Sequence, residues 1–349
     1  MDPTTEPLGW VQGVLAEQMA HDHIPGAAAV VVRDGAVATT VALGMADSDR
    51  GVPFSTTATV ALGPLTRLLT TVAVLRLVSD GLLHLDDLVI DVISGSEPYG
   101  GRSGQSLGLG GNPMTVASLL TPRPTRHPAG TVHRFGGNRR HGRLAGPPGS
   151  PWINDVDRMA TLISAVSGER FETFMAKEVL GPAEMWSASF PRVHVLPSSL
   201  VAPGRRRSAG IGARTLVGSA ECTPADLGRF LAAVSGGGTG PAARVVDPRG
   251  LTLMVTPSAP LPAPGLGVWL ECHDARVVAH TGEPGGARSG GFACFAPGTG
   301  AAVGLILRRP LPGSLPQGDR SGPAGRALTP GALAVRILAG VLDGHASIV

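Results

Sequence analysis

The pattern of apolar residues at the two ends of the chain constrains the fold more than any other feature of the sequence. Near the start, helical spacing over 7–22 predicts a helix, and apolar runs at 27–33 and 36–43 flank an Asp-Gly pair typical of a tight hairpin turn. Near the end, further runs predict strands at 266–273, 276–281, 290–296 and 301–308. A last helix is predicted at about 331–342. This order predicts an α+β fold in which both ends build one antiparallel sheet.

The middle of the chain is predicted to be mostly helical. Pro64 opens a helix that runs to about Ser79, because a proline in the first turn gives up an N–H that would have no partner within the helix. Thr223 begins another helix as its N-cap, with Pro224 in the first turn and Asp226 near the positive end of the helix dipole. Further helical patterns cover 114–120, 155–167 and 169–179.

Composition bounds the number of domains and the class of protein. The chain has 349 residues, of which 43% are hydrophobic and 16% charged, so it can bury a sizeable core. We expect one domain over 1–349, with a sheet region at about 7–60 and 260–345 and a helical region at about 61–259. The net charge of +3 is spread over loop arginines, which argues against nucleic-acid binding.

Cofactors and membranes are not expected. The three cysteines show no CxxC spacing, which predicts reduced thiols and neither a disulfide framework nor a metal site. Arg67 and Arg76 interrupt the apolar helix around Val74, so it is not predicted to span a membrane. The first residues lack the basic and apolar regions of a secretory signal. We therefore expect a cytoplasmic protein with no cofactor, and the excess of Arg over Lys is typical of a high-GC bacterial genome.

Seven segments occur in an order that is specific. They are "HIPGAAAVVVRDGAVATTVALGMADSDRGVPFS", "LVSDGLLHLDDLV", "MTVASLLT", "GPPGSPW", "AVSGERFETFMAKEVLGPAEM", "SAECTPADLGRFLAAVSGGG" and "VVAHTGEPGG". Over about 9–342 the chain resembles the serine β-lactamase and penicillin-binding-protein-like superfamily, nearest the class C β-lactamase and esterase branch. The resemblance implies an antiparallel sheet flanked by the terminal helices, an all-helical region, and an active site between them.

The resemblance also implies a catalytic serine at the start of the central helix and a lysine one turn later. In this sequence Pro64 stands at the serine position and Arg67 at the lysine position. Proline has no hydroxyl to attack a carbonyl and no N–H to donate to an oxyanion. Arginine stays protonated and cannot act as a general base. Thr66 is close in sequence but points off the face that carries these two positions.

A Tyr-x-Asn motif on a loop of the helical region is the second element that the resemblance implies. Asn154 is the candidate asparagine, and Trp152 then stands in place of the tyrosine. The only tyrosine, Tyr99, lies far upstream. The only lysine, Lys177, falls in the 169–179 helix, where a solvated position is expected.

The third element, a Lys/His-Thr-Gly motif on the sheet edge, is present as His280, Thr281 and Gly282. Glu283 follows at the position that the resemblance assigns to the second oxyanion N–H. Its carboxylate would introduce negative charge where the family stabilises negative charge. An ion pair with Arg67 would neutralise it.

Several of these side chains admit two interpretations. Arg67 either lines a pocket or is buried against a carboxylate elsewhere. His280 either lines the pocket or packs in the sheet. Trp152 either lies in the core or a pocket wall, or stacks directly on a substrate. Asp155 and Asp157 are expected at the surface or as helix N-caps.

These departures predict a protein that does not hydrolyse lactams or esters. The first hypothesis is a non-covalent cyclase or isomerase for an apolar, polyketide-type biosynthetic intermediate, held in a reactive conformation by the old cleft. The alternative is a non-catalytic binding or scaffold protein, and an atypical esterase comes last. The candidate catalytic residues are Arg67, His280 and Glu283, and the candidate substrate-binding residues are Pro64, Trp152, Asn154, Thr281 and Gly282.

Overall fold

A computed structural model describes residues 9–47, 50–94, 113–122, 151–195, 214–217, 219–273, 275–282, 289–308 and 330–343. The strands in these ranges are β1 (Gly26–Arg33), β2 (Ala36–Asp47), β3 (Val52–Pro53), β4 (Val60–Ala61), β5 (Arg192–Val195), β6 (Arg214–Val217), β7 (Glu221–Cys222), β8 (Ala263–Pro264), β9 (Trp269–His273), β10 (Arg276–Gly282), β11 (Ser289–Ala296) and β12 (Ala301–Arg308). The helices are α1 (Gly9–His21), α2 (Thr66–Ser79), α3 (Val89–Ile93), α4 (Val116–Leu120), α5 (Pro151–Ser167), α6 (Phe171–Met175), α7 (Pro224–Ser235), α8 (Pro248–Val255) and α9 (Pro330–Asp343).

One antiparallel sheet of eight strands organises the described chain. Its order is β3-β2-β1-β12-β11-β10-β9-β8, so the first and last parts of the chain meet at the β1–β12 pair. The register of that pair runs from Gly26 opposite Arg308 to Val32 opposite Ala302. Two small two-stranded sheets, β4–β7 and β5–β6, lie outside it. The predicted α+β fold with one antiparallel sheet is confirmed.

Both faces of the sheet are covered, which explains why β1 is a continuous apolar run. Ala28 and Val30 contribute to the core on the side of the helical region, whereas Ala27 and Ala29 contribute to the core beneath the terminal helices. Successive side chains of a strand point to opposite faces, so a strand between two layers must be apolar at every position. We call these the helical-region face and the terminal-helix face of the sheet.

The helices divide between these two faces. On the terminal-helix face, α1 and α9 pack through residues such as Leu15, Leu333 and Ile337. On the other face, α7 and the turn Gly63–Leu65 that precedes α2 pack on the sheet, and α2 itself is packed against α5 and α8. Because α2 has neighbours on all sides, even Thr70 and Thr71 are fully buried.

The predicted helices and long strands lie where the sequence placed them, with local differences. Pro64 lies in a 3-10 turn, Gly63–Leu65, that precedes α2, so the α-helix itself begins at Thr66. The pattern at 169–179 divides into α6 and a π turn, Ala176–Leu180. The N-cap at Thr223 is confirmed, since its Oγ1 accepts the N–H of Asp226 at 3.2 Å.

The 3-10 turn before α2 touches the centre of the sheet at a glycine. The N–H of Gly291 on β11 donates to the carbonyl of Leu62 at 3.1 Å. A Cβ placed on Gly291 would lie 2.3 Å from Leu65 Cδ1 and 2.9 Å from the Leu62 carbonyl oxygen. The close approach of this turn to the sheet therefore depends on the absence of a side chain at 291.

We expect Gly291→Ala to lower the free energy of unfolding by about 1–3 kcal/mol, because a methyl group overpacks a buried contact with no room for it. The matched control is Gly13→Ala in α1, where a Cβ meets nothing within 4 Å. That change should raise stability by about 0.4–1 kcal/mol, by restricting the unfolded chain. Chemical denaturation of the two variants measures both effects. Equal free energies of unfolding for Gly291→Ala and Gly13→Ala would show that the turn does not approach the sheet closely at Gly291.

Candidate functional site

The turn that begins the central helix is held from both sides. Gly63 has a left-handed φ of 56°, and its N–H donates to Ser219 Oγ at 2.7 Å. The N–H of Leu62 donates to the carbonyl of Ala220 at 2.8 Å. Pro64, predicted to be a substrate-binding residue, is buried in this turn. The position therefore presents neither a hydroxyl nor an N–H to a bound molecule.

Thr66 carries the nearest hydroxyl in sequence to Pro64, and that hydroxyl already has a hydrogen-bond partner. Its Oγ1 accepts a hydrogen bond from the N–H of Ala220 at 2.9 Å, and the residue is 0% exposed. The bond ties the start of α2 to the segment that leads into β7. A buried hydroxyl in such a contact has a structural role and no access to a substrate carbonyl.

Arg67 is buried against a carboxylate in the helical region, which is the second of its two predicted interpretations. Its Nη2 donates to the carbonyls of Leu119 at 2.7 Å and Thr121 at 3.3 Å. Its Nε lies 4.0 Å from Asp155 Oδ2, and the Arg67 side chain is 9% exposed. The guanidinium thus joins α2, α4 and α5, and the described ion partner is Asp155. The other predicted partner, Glu283, lies outside the described residues.

The expectation that Asp155 and Asp157 lie at the surface or cap a helix is wrong. They are 5% and 7% exposed, and α5 begins at Pro151, so Asp155 lies in its second turn. Arg158 Nη1 also lies 3.3 Å from Asp155 Oδ1. A buried carboxylate needs compensation of this kind, because removing its charge from water is costly.

His280 faces away from the start of α2. In β10, residues 278 and 280 lie on one face of the sheet and residues 279 and 281 on the other. Val278 belongs to the core under the terminal helices, and the His280 ring stacks on Phe292 of that core, with centroids 5.7 Å apart and planes at 23°. Ala279 belongs to the core of the helical region. His280 is therefore on the terminal-helix face, and the structure does not bring its ring together with Arg67 and Pro64.

Glu271 is a buried acid beside His280 that the sequence analysis missed. It is 5% exposed, and its Oε1 lies 3.7 Å from His280 Nε2 while its Oε2 lies 3.4 Å from His273 Nε2. The β9–β10 pairing places Glu271 opposite Val278, so it shares a face with His280. The available signal was the two-residue gap between the predicted strands at 266–273 and 276–281, because so short a connection implies this antiparallel pairing.

Thr281 lies on the helical-region face and is half-buried. It is paired with Ala293 of β11, and the 3-10 turn of Pro64 contacts the same strand. Gly282 ends the strand, and Glu283 lies beyond the described residues. Within the His-Thr-Gly motif, Thr281 therefore directs its side chain to the face that carries α2, whereas His280 directs its ring to the opposite face.

The backbone of the second motif also lies beside α2. Trp152 and Asn154 fall in the first turn of α5, which packs along α2, and their side chains lie outside what the structure describes. The lone Tyr99 is also outside the described residues. Lys177 Nζ is at the surface, 3.2 Å from Glu169 and 3.3 Å from Glu178. These carboxylates, Glu169 foremost, raise the pKa of Lys177, so it is a solvated cation as predicted.

Metal-ligand clusters and membrane-spanning helices were sought in the part of the chain that the structure describes. Within it, no three His, Cys, Asp or Glu side chains are placed to hold a metal ion. Among the described helices, none is long and apolar enough to cross a bilayer. Cys222 and Cys294 are buried free thiols whose pKa is raised, chiefly by burial, so both stay protonated.

A family model described as Beta-lactamase matches residues 11–321. The chain belongs to the beta-lactamase family. No curated protein matches the sequence.

Solved structures share the family fold at low identity. An octameric penicillin-binding protein homologue from Pyrococcus abyssi matches with a TM-score of 0.63 and 17% identity, over 97% of this chain and 78% of that one. A class C beta lactamase from Rhodobacter sphaeroides matches with 0.57 and 14%, over 95% and 98%. SurE with D-Leu matches with 0.55 and 21%, over 87% and 71%. At these identities the likeness shows the fold of the family.

We expect Asp155→Asn to destabilise the protein by about 3 kcal/mol, because it removes the carboxylate that compensates the buried Arg67. The control is Lys177→Met, which breaks an exposed ion pair and should leave the unfolding midpoint unchanged. Denaturant unfolding of both variants tests the expectation. Equal midpoints for Asp155→Asn and Lys177→Met would show that the buried pair is not what holds α2 against α5.

Proposed function

We propose that this member of the beta-lactamase family has lost covalent hydrolysis and binds a small apolar molecule between α2, the start of α5 and the end of β10. The observation that carries the proposal is the start of α2. There the position assigned to the nucleophile is Pro64, and the adjacent polar groups of Thr66 and Arg67 are engaged in structural contacts.

Acyl-enzyme chemistry needs three things from this region: a nucleophile, a base that takes its proton, and N–H donors for the oxyanion. Pro64 supplies neither a nucleophile nor an N–H. Arg67 is a permanent cation that donates to the carbonyl of Leu119 and lies beside Asp155, so it takes no proton. The proposal thus rests on the chemical nature of Pro64 and Arg67 and on the contacts that Arg67 already makes.

Binding without bond-making is the hypothesis that the described geometry favours. Two of the three predicted catalytic residues make structural contacts away from the proposed binding region. Arg67 links α2 to α4 and α5, and His280 stacks on Phe292 on the terminal-helix face. Thr281 remains as a half-buried hydroxyl on the side of α2. With Pro64, Trp152, Asn154 and the backbone of Gly282, it forms the proposed binding region.

A non-covalent cyclase or isomerase acting on a polyketide-type intermediate in the cytoplasm is the second candidate. Holding a flexible substrate in a reactive conformation needs no nucleophile. Thr281 favours this candidate, because a hydroxyl on the α2 side of β10 offers a hydrogen bond to a substrate carbonyl. In this second candidate function, Glu283 would act as the general acid or base that transfers a proton.

We expect no covalent adduct and no turnover when the protein meets a chromogenic lactam, an activated ester and a fluorophosphonate. Intact-mass spectrometry and absorbance measure the two outcomes, with a class C β-lactamase treated in parallel to show that the reagents are active. A stoichiometric adduct on any residue would overturn the loss of acyl-enzyme chemistry.

The binding proposal is tested with a Thr281→Trp variant, in which a large ring fills the region beside α2. We expect apolar polyketide-like compounds to raise the melting temperature of the wild type and not that of Thr281→Trp. Thr252→Trp on the exposed side of α8 is the matched control and should respond like the wild type. An identical response of all three proteins would place binding elsewhere. Conversion of a linear compound without an adduct would favour the cyclase.

A further inference from the structure

Two side-chain contacts between α2 and α5 share one spacing. Arg67 Nε lies 4.0 Å from Asp155 Oδ2. Four residues further along both helices, the hydroxyl of Thr71 donates to Met159 Sδ at 4.0 Å. Residues four apart on a helix lie on the same face. The two helices therefore run in the same direction along this contact, with position 67 beside 155 and position 71 beside 159.

The same register leads back to the proposed binding region. Pro64 lies three residues before Arg67, in the 3-10 turn that continues into α2. Trp152 lies three residues before Asp155, in the first turn of α5. Positions three apart share a helix face, so the backbone of α5 at 152 is carried to the side of the turn at 64. The ion pair of Arg67 and Asp155 is thus the contact immediately behind these two positions.

The end of α4 anchors the guanidinium of Arg67. Its Nη2 donates to the carbonyls of Leu119 at 2.7 Å and Thr121 at 3.3 Å. The carbonyl between them, that of Leu120, accepts the N–H of Gly267 in the turn between β8 and β9 at 2.8 Å. The guanidinium is therefore bound to a part of the protein that is itself tied to the sheet, and it offers Asp155 a fixed point of attachment.

Asp155 has two cationic neighbours with different roles. Arg158 Nη1 lies 3.3 Å from Asp155 Oδ1, and both residues belong to α5. Arg158 therefore compensates the carboxylate without linking α5 to another element, whereas Arg67 supplies the link to α2 and α4. Substitution of Arg67 removes that link and leaves a cation beside the buried acid. We therefore expect an Arg67 variant to fold.

We propose that Arg67 is a positioning residue for the binding region proposed above. Its ion pair with Asp155 holds the first turn of α5, which contains Trp152 and Asn154, beside the turn of Pro64. The guanidinium acts through Asp155 and not by contact with a ligand, since the Arg67 side chain is 9% exposed and donates to α4. This inference rests on the proposed function, because it concerns the same region.

The environment of Trp152 supplies a readout that a general loss of stability would not move. In protein labelled with 5-fluorotryptophan, the four tryptophans give ¹⁹F resonances, and Trp152→Phe identifies that of Trp152. We expect this resonance to shift or split in Arg67→Met. It should keep its wild-type position in Arg67→Lys, which retains a cation within reach of Asp155.

Leu338→Ala is the control for stability. It removes a buried apolar side chain of α9, on the opposite face of the sheet, and destabilises the protein without touching α5. The Trp152 resonance should therefore keep its wild-type position in Leu338→Ala. Denaturant unfolding checks that each variant is folded, and Asp155→Asn repeats the test from the other partner of the ion pair.

Nile red, a neutral apolar dye, measures the consequence for binding. We expect its dissociation constant to rise about tenfold in Arg67→Met and in Asp155→Asn, and no further in the double variant, because both changes remove the same link. Leu338→Ala should bind the dye like the wild type.

The possible failures of the two proposals are distinguishable. A Trp152 resonance that is the same in Arg67→Met and in the wild type would overturn the positioning role. A double variant whose effect on dye binding is the product of the single effects would also overturn it, because the two residues would then act separately. A wild type that does not bind Nile red, with a Trp152 resonance that still depends on Arg67, would support the positioning of α5 and overturn the proposed binding region.

Discussion

Backbone pairing between β1 and β12 is the contact on which the rest of the structure depends. It joins strands from opposite ends of the chain, with Gly26 opposite Arg308, and so turns two local hairpin systems into one eight-stranded sheet. The sheet that is continuous across this pair carries α7 on one face and α9 on the other. Closing so long a loop has an entropic cost that the apolar burial of β1 and β12 on both sides must offset.

The central helix is placed by the sheet and in turn determines what the family site can do. The 3-10 turn of Gly63–Leu65 is held against β11 at Gly291 and against the segment of Ser219 and Ala220. The first two polar residues of α2 are used in that packing: Thr66 accepts a backbone N–H, and Arg67 contacts two carbonyls and a buried acid. The start of α2 is therefore fixed by structural contacts on several sides.

Much of the fold could be predicted from the sequence, because its main signals are local. The apolar spacing, the Asp-Gly turn and the Thr-Pro cap each depend on neighbours within a few residues, and the long strands and helices lie near their predicted positions. The short strands β4 and β7 were not predictable, since a two-residue strand has no periodicity of its own and exists through a distant partner. The burial of Asp155 was missed for the same reason, because its partner Arg67 is far away in the chain.

The sequence by itself determined which side chains are available: a proline without hydroxyl or N–H at 64, an arginine at 67, one lysine at 177 and one tyrosine at 99. These are properties of covalent structure and do not depend on the fold. Only the tertiary structure decided where the remaining polar groups face. Strand alternation turns His280 to the terminal-helix face and leaves Thr281 on the side of α2, and helix packing draws Arg67 into the protein. Side-chain direction depends on which layers cover each face of the sheet, and those layers come from parts of the chain far apart in sequence.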